Sequence, residues 1–386
     1  MARYIKPVHK NLLSTQSNLT EGMNDRVKKY QQTLDEILQA NNIACSFMDV
    51  KSLPLTITFK YKIESFTFKK SALTDIEEML PVYLNCQEAS IEFINAEMAF
   101  SIKISNDERP SMPLGNLLQS EEYTKLDSNT KFVLGIGKDN KPIVMDLIKT
   151  NNILLLGDDE KEKTNMLKTI VTSILSNAVL NTVQLRILDS HTSPLKNYSE
   201  CKNFVVDYSS DSDKNRSNIC DALSTFYGRS MSMSDERIYD FDKYNEKLAL
   251  KNEICPYLIV VINNLEELIN SQNDYWRKSI KEDLLKDTRY SKRNGIYFIC
   301  TAKELNIGIP AKEIRDMFAT RITFKKKEYY EDRGLNITYQ SKLLGNGDGL
   351  YFNYKDNKFN SFQAATVTDD DIELLVEYIE TEAVIS

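Results

Sequence analysis

The chain has 386 residues, 41% of them hydrophobic and 27% charged, with a formal net charge of −7. That length exceeds one ordinary core and that composition is globular, so two domains are expected and extended disorder is not. An acidic balance argues against coating nucleic acid over the whole surface, although it leaves room for a local basic channel.

No apolar run approaches the ~20 residues of a bilayer span, and the polar, basic amino terminus lacks a leader's apolar core, which points to the cytoplasm without membrane insertion. The six cysteines are scattered singly with no C-x-x-C pair, so neither disulfides nor zinc are expected. His9 and His191 lie far apart without neighbours at ligand spacing, and no metal site is read from them.

Residues 1–21 carry no clear period and read as an arm. From Gly22, the stretch GMNDRVKKYQQTLDEILQANNI sets Val27, Tyr30, Leu34, Ile37 and Leu38 at helical spacing, with Asn41 and Asn42 as a stop. Strand-like ACSFMDV and LPLTITFKYKI follow, then helical SALTDIEEMLPVYL and two alternating runs, ASIEFI and MAFSIKI. These elements predict a small α+β domain over 22–128 whose core closes near Ile104. After Pro110, Pro113, Gly115 and a short helix NLLQSEEYTKL, the character changes near Ser128. TNNILLLG, TVQLRILD, PYLIVVIN and GIYFICTA are apolar runs separated by helical segments, the pattern of a parallel sheet buried on both faces. The fold class expected for 129–386 is therefore α/β, doubly wound and mostly parallel, with its ligand crevice at the carboxyl ends of the strands.

The turn Gly157-Asp158-Asp159-Glu160-Lys161-Glu162-Lys163-Thr164 has the length and ends of the phosphate-binding pattern G-x-x-x-x-G-K-[ST]. Glu162 stands where the inner glycine belongs. Glycine there permits the φ > 0 turn that aims backbone N–H groups at phosphate, and a glutamate obstructs it. Asp158, Asp159, Glu160 and Glu162 bring four carboxylates to the place of a triphosphate. One such contact at ~4 Å costs about 4 kcal/mol at an effective dielectric of ~20. Taken alone, the segment reads as a helix start with acidic residues suited to the dipole. The apolar run ending at Ile262 continues into Asn263 and Asn264, where a motor ATPase carries Asp-Glu to hold magnesium and polarise water. Two amides supply neither the metal's charge partner nor a general base.

With those residues in place, the stretch from about Gly22 to Glu377 resembles the cytoplasmic motor of FtsK/SpoIIIE DNA translocases. FVLGIGKDNKPIVMDLIKTNNILLLG is similar to the family's approach to its phosphate loop, and KYNEKL to its segment at Tyr244 to Lys247. CPYLIVVINNLEELI looks like the strand carrying the family's Asp-Glu, and GIYFICTAKELN like its sensor strand. ATRITF is similar to its Thr-Arg-Ile segment at Thr320 to Ile322, and LLGNGDGLYF to its late segment at Leu343 to Tyr351. The resemblance implies a RecA-like P-loop NTPase domain over 129–386, a hexameric ring and double-stranded DNA as partner. Departures cluster at the chemistry. Of the loop only Gly157, Lys163 and Thr164 match, Asn263 and Asn264 replace the acids, and Lys303 takes the sensor glutamine position. Arg321 and Gly345 to Asp348 match. Membrane helices and a winged-helix domain are not read in the chain, so the resemblance implies a trimmed motor of the kind carried by plasmids, phages and integrative elements.

The resulting expectation is a pseudo-ATPase: a non-hydrolysing DNA-associated ring subunit, homo-oligomeric or mixed with an active motor paralogue, in transfer or maintenance of a mobile element. No cofactor is expected, with weak ATP or ADP binding at the vestigial loop as the alternative. Arg289, Lys292 and Arg293, read as the helix before GIYFIC, are candidate inter-subunit residues, against the plain alternative of a solvated face. Lys325, Lys326 and Lys327 form the most compact basic run and are a candidate DNA contact. A second reading is a protein-interaction module like the degenerate motor domains of type VII secretion ATPases, because an acidic, emptied crevice suits a basic peptide. A third, an active divergent translocase, needs a substitute magnesium ligand. Asp189 is the candidate, and capping the loop after its strand is its plain alternative.

Overall fold

Helix and strand positions come from a computed structural model that describes residues 13, 21–52, 55–65, 71–86, 89–94, 97–106, 111–269, 291–303, 311–326, 343–353 and 358–385. The proposed arm over 1–21 lies almost wholly outside them. The chain divides into two compact units, one of Gln16–Ser111 with Ile136–Lys141, the other chiefly Met112–Gly135 and Pro142–Ser386.

In the smaller unit, α1 (Glu21–Ala40), β1 (Cys45–Ser52), β2 (Thr56–Ile63), α2 (Ser71–Tyr83), β3 (Ala89–Ile94) and β4 (Ala99–Ser105) follow in the order read from the sequence. The strands form an antiparallel sheet, β1-β2-β4-β3. Alternation along β2 puts Ile57, Phe59 and Tyr61 on one face, opposite Ile104, Ile102 and Phe100 of β4. Tyr30, Leu34 and Leu38 of α1 and Leu73, Ile76 and Leu80 of α2 belong to the same core. The helical spacing visible in α1 is thus a buried stripe.

The larger unit begins with β5 (Met112–Pro113), α3 (Leu114–Leu118), α4 (Glu121–Lys125), the strands β6 (Lys131–Gly137) and β7 (Pro142–Asp146), and α5 (Leu147–Thr150). Next come β8 (Ile153–Leu156), α6 (Glu160–Leu175), β9 (Val183–Leu188), β10 (Val205–Ser209), α7 (Ser212–Asp235), α8 (Phe241–Ala249), β11 (Tyr257–Ile262) and α9 (Leu265–Ile269). It closes with β12 (Ile296–Ala302), α10 (Ala311–Met317), β13 (Thr320–Thr323), β14 (Asp348–Asn353), β15 (Lys358–Thr366) and α11 (Asp369–Ile385). The sheet runs β10-β9-β11-β12-β8-β13-β14-β15-β6-β7, with β5 beside β15. From β10 through β13 every neighbouring pair is parallel, whereas β14 and β15 extend the sheet antiparallel. The doubly wound α/β expectation is met.

Every residue of β8 and β12 is buried. Leu154, Leu156, Val260, Ile262, Phe298 and Cys300 share one cluster with Ile219 and Leu223 of α7. Cys300 acts there as a small hydrophobe, and burial pushes its thiol pKa up. The stretch 112–128 goes with the larger unit, although its Pro and Gly content places the sequence boundary near Ser128. Leu114, Leu117 and Tyr123 are buried anchors, Ala365 and Thr366 pair with β5, and Tyr123 donates to the Ser173 carbonyl on α6 at 2.7 Å. Among the described residues, no helix is long and apolar enough to cross a membrane.

Candidate functional site

The phosphate pattern spans eight residues, yet the turn joining β8 to α6 contains only three before the helix begins at Glu160. Gly157 approaches the next strand's end so closely that a Cβ would meet Phe324 Cβ at 3.1 Å. Asp159 then caps the helix, its Oδ1 accepting the Lys161 N–H at 2.8 Å. The Asp158 N–H donates to the Lys325 carbonyl at 3.2 Å. Two backbone donors of the segment are therefore occupied from within. Asp159 and the acidic first turn carried the local signal for this early start.

Lys163, in the first turn of α6, has a side chain only 1% exposed, and its Nζ donates to Glu160 Oε1 at 2.7 Å; Glu160 is 59% exposed. Thr164 is partly buried beside it. Glu162 spans to another element, its Oε1 accepting the Gly347 N–H at 2.8 Å. Gly345 and Gly347 take φ of +87° and +85°, which suits glycine, and Asp348 Oδ2 fixes their turn by accepting the Leu344 N–H at 3.0 Å. Glu162 Oε2 is buried with no hydrogen-bond partner. Burial raises the Glu162 pKa, with Asp159 and Asp348 adding to it and the Gly347 N–H and Lys325 opposing.

At the carboxyl ends of β9, β11 and β12 the polar side chains bind one another. Asn263 is buried; its Nδ2 donates to Asp189 Oδ1 at 2.9 Å and its Oδ1 accepts the Thr301 hydroxyl at 3.0 Å. The Thr301 oxygen in turn accepts the Asn264 N–H at 2.7 Å. Asp189, 2% exposed, also accepts the N–H groups of Ser190 and Leu195 and the Tyr208 hydroxyl. Its carboxylate is committed to those four donors, so it holds the loop after β9. Burial raises its pKa and the donors oppose that shift. Asn264 takes φ +75°. It caps α9, its Oδ1 accepting the Glu267 N–H at 3.1 Å and its Nδ2 donating to Glu267 Oε2 at 3.3 Å. His191 Nδ1 lies 3.6 Å from that same carboxylate. Asp189, Asn215, Asn263, Asn264 and Glu267 line a cavity of about 10 Å³, room for about one water. Lys303 is exposed at the end of β12, and its N–H donates to Glu266.

The other predicted residues are dispersed. Lys292 and Arg293 are exposed in a single 3-10 turn, Ser291–Asn294, at the amino end of β12, the opposite end of that strand from Lys303. Arg289 lies outside the described residues. Lys325 is exposed just after β13, with its carbonyl on Asp158 as above and its Nζ 3.5 Å from the Leu344 carbonyl. Lys326 is partly buried, and Lys327 lies outside the described residues. Arg321 is buried, donates to the Phe318 carbonyl and stacks 4.2 Å over the Phe352 ring. Sequence reading missed Glu160 as the partner of Lys163, although their i,i+3 spacing signals it. Thr301 and Gly347 have no local signal, since their contacts to Asn263 and Glu162 span 38 and 185 residues.

A parallel sheet whose β8 leads through a glycine turn into a helix, with residues at the end of β11 facing that turn's side of the sheet, defines a RecA-like P-loop NTPase fold. The FtsK/SpoIIIE family model matches residues 113–322, more than half of the chain, and the chain belongs to that family. It is 22% identical over 92% of its length to DNA translocase SftA of Bacillus subtilis (strain 168), covering 37% of that protein. It is 23% identical over 92% of its length to DNA translocase FtsK of Staphylococcus aureus (strain Mu50), covering 45% of it. The chain thus spans less than half of these curated relatives.

Among solved structures, the pCW3 conjugation coupling protein TcpA, in a monomer form with ATPγS, matches with a TM-score of 0.60 and 16% identity, over 92% of this chain and 99% of that one. The cytoplasmic domain of the type VII secretion ATPase EccC from Thermomonospora curvata matches with a TM-score of 0.54 and 14% identity, over 70% of this chain and 34% of that one. At these identities the likeness concerns the fold.

Proposed function

We propose that this chain is a non-hydrolysing FtsK/SpoIIIE-family protein that works as a DNA-associated ring subunit in the cytoplasm, alone or mixed with an active motor. One observation carries the reading: the buried Lys163 ammonium is bonded to Glu160 on its own helix and not directed at an open phosphate loop. The family's chemistry implies a magnesium nucleotide, and the residues present do not fit one. The turn is too short to cradle phosphates, Asp159 occupies the helix start, and Asn263 and Asn264 offer amides already engaged with Asp189, Thr301 and Glu267.

Double-stranded DNA as partner is supported by the relatives named DNA translocases, each matched over 92% of this chain. Transfer of a mobile element is supported by the conjugation coupling protein whose fold covers the same share. Lys325 to Lys327 are the proposed phosphate contacts, and Arg289, Lys292 and Arg293 the proposed subunit contacts. An electrophoretic DNA-binding assay and ATP turnover measured on one purified sample test the reading. DNA retention without turnover supports it, and turnover accelerated by DNA overturns it.

A second reading, a protein-interaction module, draws on the exposed carboxylates of Asp159 and Glu160 at the crevice mouth, which suit a basic peptide. Loss of both DNA binding and turnover in the same assay would favour it.

A further inference from the structure

We infer that the helix-free face of the smaller unit's sheet is a further contact surface for the DNA phosphate backbone. This rests on the reading of double-stranded DNA as the partner, and it adds a place that no compact basic run in the sequence marks. Helices α1 and α2 share one core with Ile57, Phe59 and Tyr61 of β2 and their neighbours on β4, so the alternate residues of the four strands form a face that carries neither helix. Register sets Lys51 of β1 opposite Thr58 of β2, Thr58 opposite Lys103 of β4, and Lys103 opposite Ser90 of β3. An ammonium and a hydroxyl thus alternate across the full width of the sheet. Lys60 and Lys62 extend the same face along β2, about 7 Å apart. The four lysines lie between positions 51 and 103 and are assembled by strand pairing alone.

Charge and composition select the occupant. The chain carries a net charge of −7, yet on this face four lysines meet two carboxylates, Asp49 and Glu92. Lys51 and Lys62 are exposed and pair with no carboxylate among the described residues. Lys103 pairs with Glu92 and Lys60 with Glu97, but those carboxylates are 64% and 49% exposed. Ion pairs so open to water contribute little and yield to a phosphate. No arginine occurs in the four strands, and their aromatic residues fall on the opposite face, whereas protein interfaces concentrate aromatic residues and arginine and are depleted in lysine. Lysine with serine and threonine hydroxyls is a set that holds phosphate oxygens without reading bases.

The test is binding of the full chain, without nucleotide, to two duplexes of unrelated sequence, followed by fluorescence anisotropy over a range of salt concentrations. Lys51→Gln with Lys62→Gln removes two charges from exposed side chains, so the urea midpoint stays with the parent's. This double variant binds both duplexes at least about tenfold more weakly at ~0.1 M salt, and its slope of log affinity against log salt is shallower by about 2. Lys28→Gln with Lys29→Gln removes the same charge from α1, which packs on the opposite face, and leaves affinity and slope near the parent's.

The inference is overturned by a Lys51→Gln, Lys62→Gln chain with the parent's affinity and slope, or by an equal loss in the α1 variant, which would reduce the effect to net charge. Poly-L-glutamate retained by the parent in preference to duplex, and lost in the first double variant, assigns the face to an acidic protein and overturns it too. These outcomes are separable from the proposed function. A parent that retains no DNA sinks the DNA-associated reading along with this face, whereas a parent and double variant that bind DNA alike sink only the face.

Discussion

The two ends of the parallel sheet use polar side chains in opposite ways. At the amino ends they fasten backbone. Arg229 donates to the carbonyls of Pro256, Asn294 and Gly295 just ahead of β11 and β12. Asn152, ahead of β8, donates to the Met317 carbonyl and accepts the Phe298 N–H, and Asn245 clamps the Cys255 backbone from both sides. At the carboxyl ends, polar side chains largely satisfy one another, as in Asp189–Asn263–Thr301, Asn264–Glu267 and Lys163–Glu160. The first arrangement closes strands that any copy of this fold must close. The second pairs, inside the chain, charged groups and donors that lie where the strands' carboxyl ends meet.

The largest way to break this comparison is at its most connected group. Asp189→Ala strands four donors and is expected to cost about 3 kcal/mol or more, read from the urea midpoint. A loss below about 1 kcal/mol would mean that the network does not hold the carboxyl ends together.

Restoring one of the missing acids gives the next effect. Asn263→Asp puts a second carboxylate where the amide now donates to Asp189 Oδ1 at 2.9 Å, and the expected loss is about 2 kcal/mol at neutral pH. Like charge raises the folded pKa of the pair, so the native state holds more protons than the unfolded chain. Stability therefore falls as pH rises through the raised value and recovers below it. A variant as stable as the parent near neutrality would show that Asp189 is not ionised beside Asn263.

Asn264→Ala loses a helix cap and leaves at φ +75° a residue without the side-chain amide that makes the left-handed region tolerable for asparagine, for an expected cost of about 1–2 kcal/mol. Asn264→Gly removes the cap and relieves the angle, so it should cost less. Equal losses would leave the cap as the whole effect.

The smallest expected effect sits at Glu162. Its folded pKa is raised, so in the weakly acidic window between the ordinary carboxylate value and the raised one the native state binds the extra proton, and stability falls as pH rises. Glu162→Gln removes that slope. Urea midpoints at about pH 5 and about pH 8 should lie closer together in the variant than in the parent, and a wider separation would contradict the assignment.

Much of the architecture was legible because it rests on local periods. The helical stripe of α1, the alternation in β2 and the apolar runs of β8, β11 and β12 all became the elements they announce. The crevice was legible only in its departures. Glu162, Asn263 and Asn264 mark in sequence what the site lacks, while what fills it depends on Thr301, Tyr208 and Gly347, brought in by tertiary pairing that no local pattern encodes. Although the G-x-x-x-x-G-K-[ST] ends span eight residues, the acidic segment was legible as a helix start, and the helix begins at Glu160 behind its Asp159 cap. The 112–128 stretch was assigned to the small domain over 22–128, whereas it groups with the larger unit, where Leu114, Leu117 and Tyr123 are buried.

Equilibrium binding of magnesium ATP to the purified chain, with and without double-stranded DNA, tests the central claim most directly. A crevice neutralised by its own side chains predicts no saturable binding at millimolar nucleotide in either condition. Tight, DNA-sensitive binding would contradict it, because Lys163 would then have to leave Glu160 for the nucleotide.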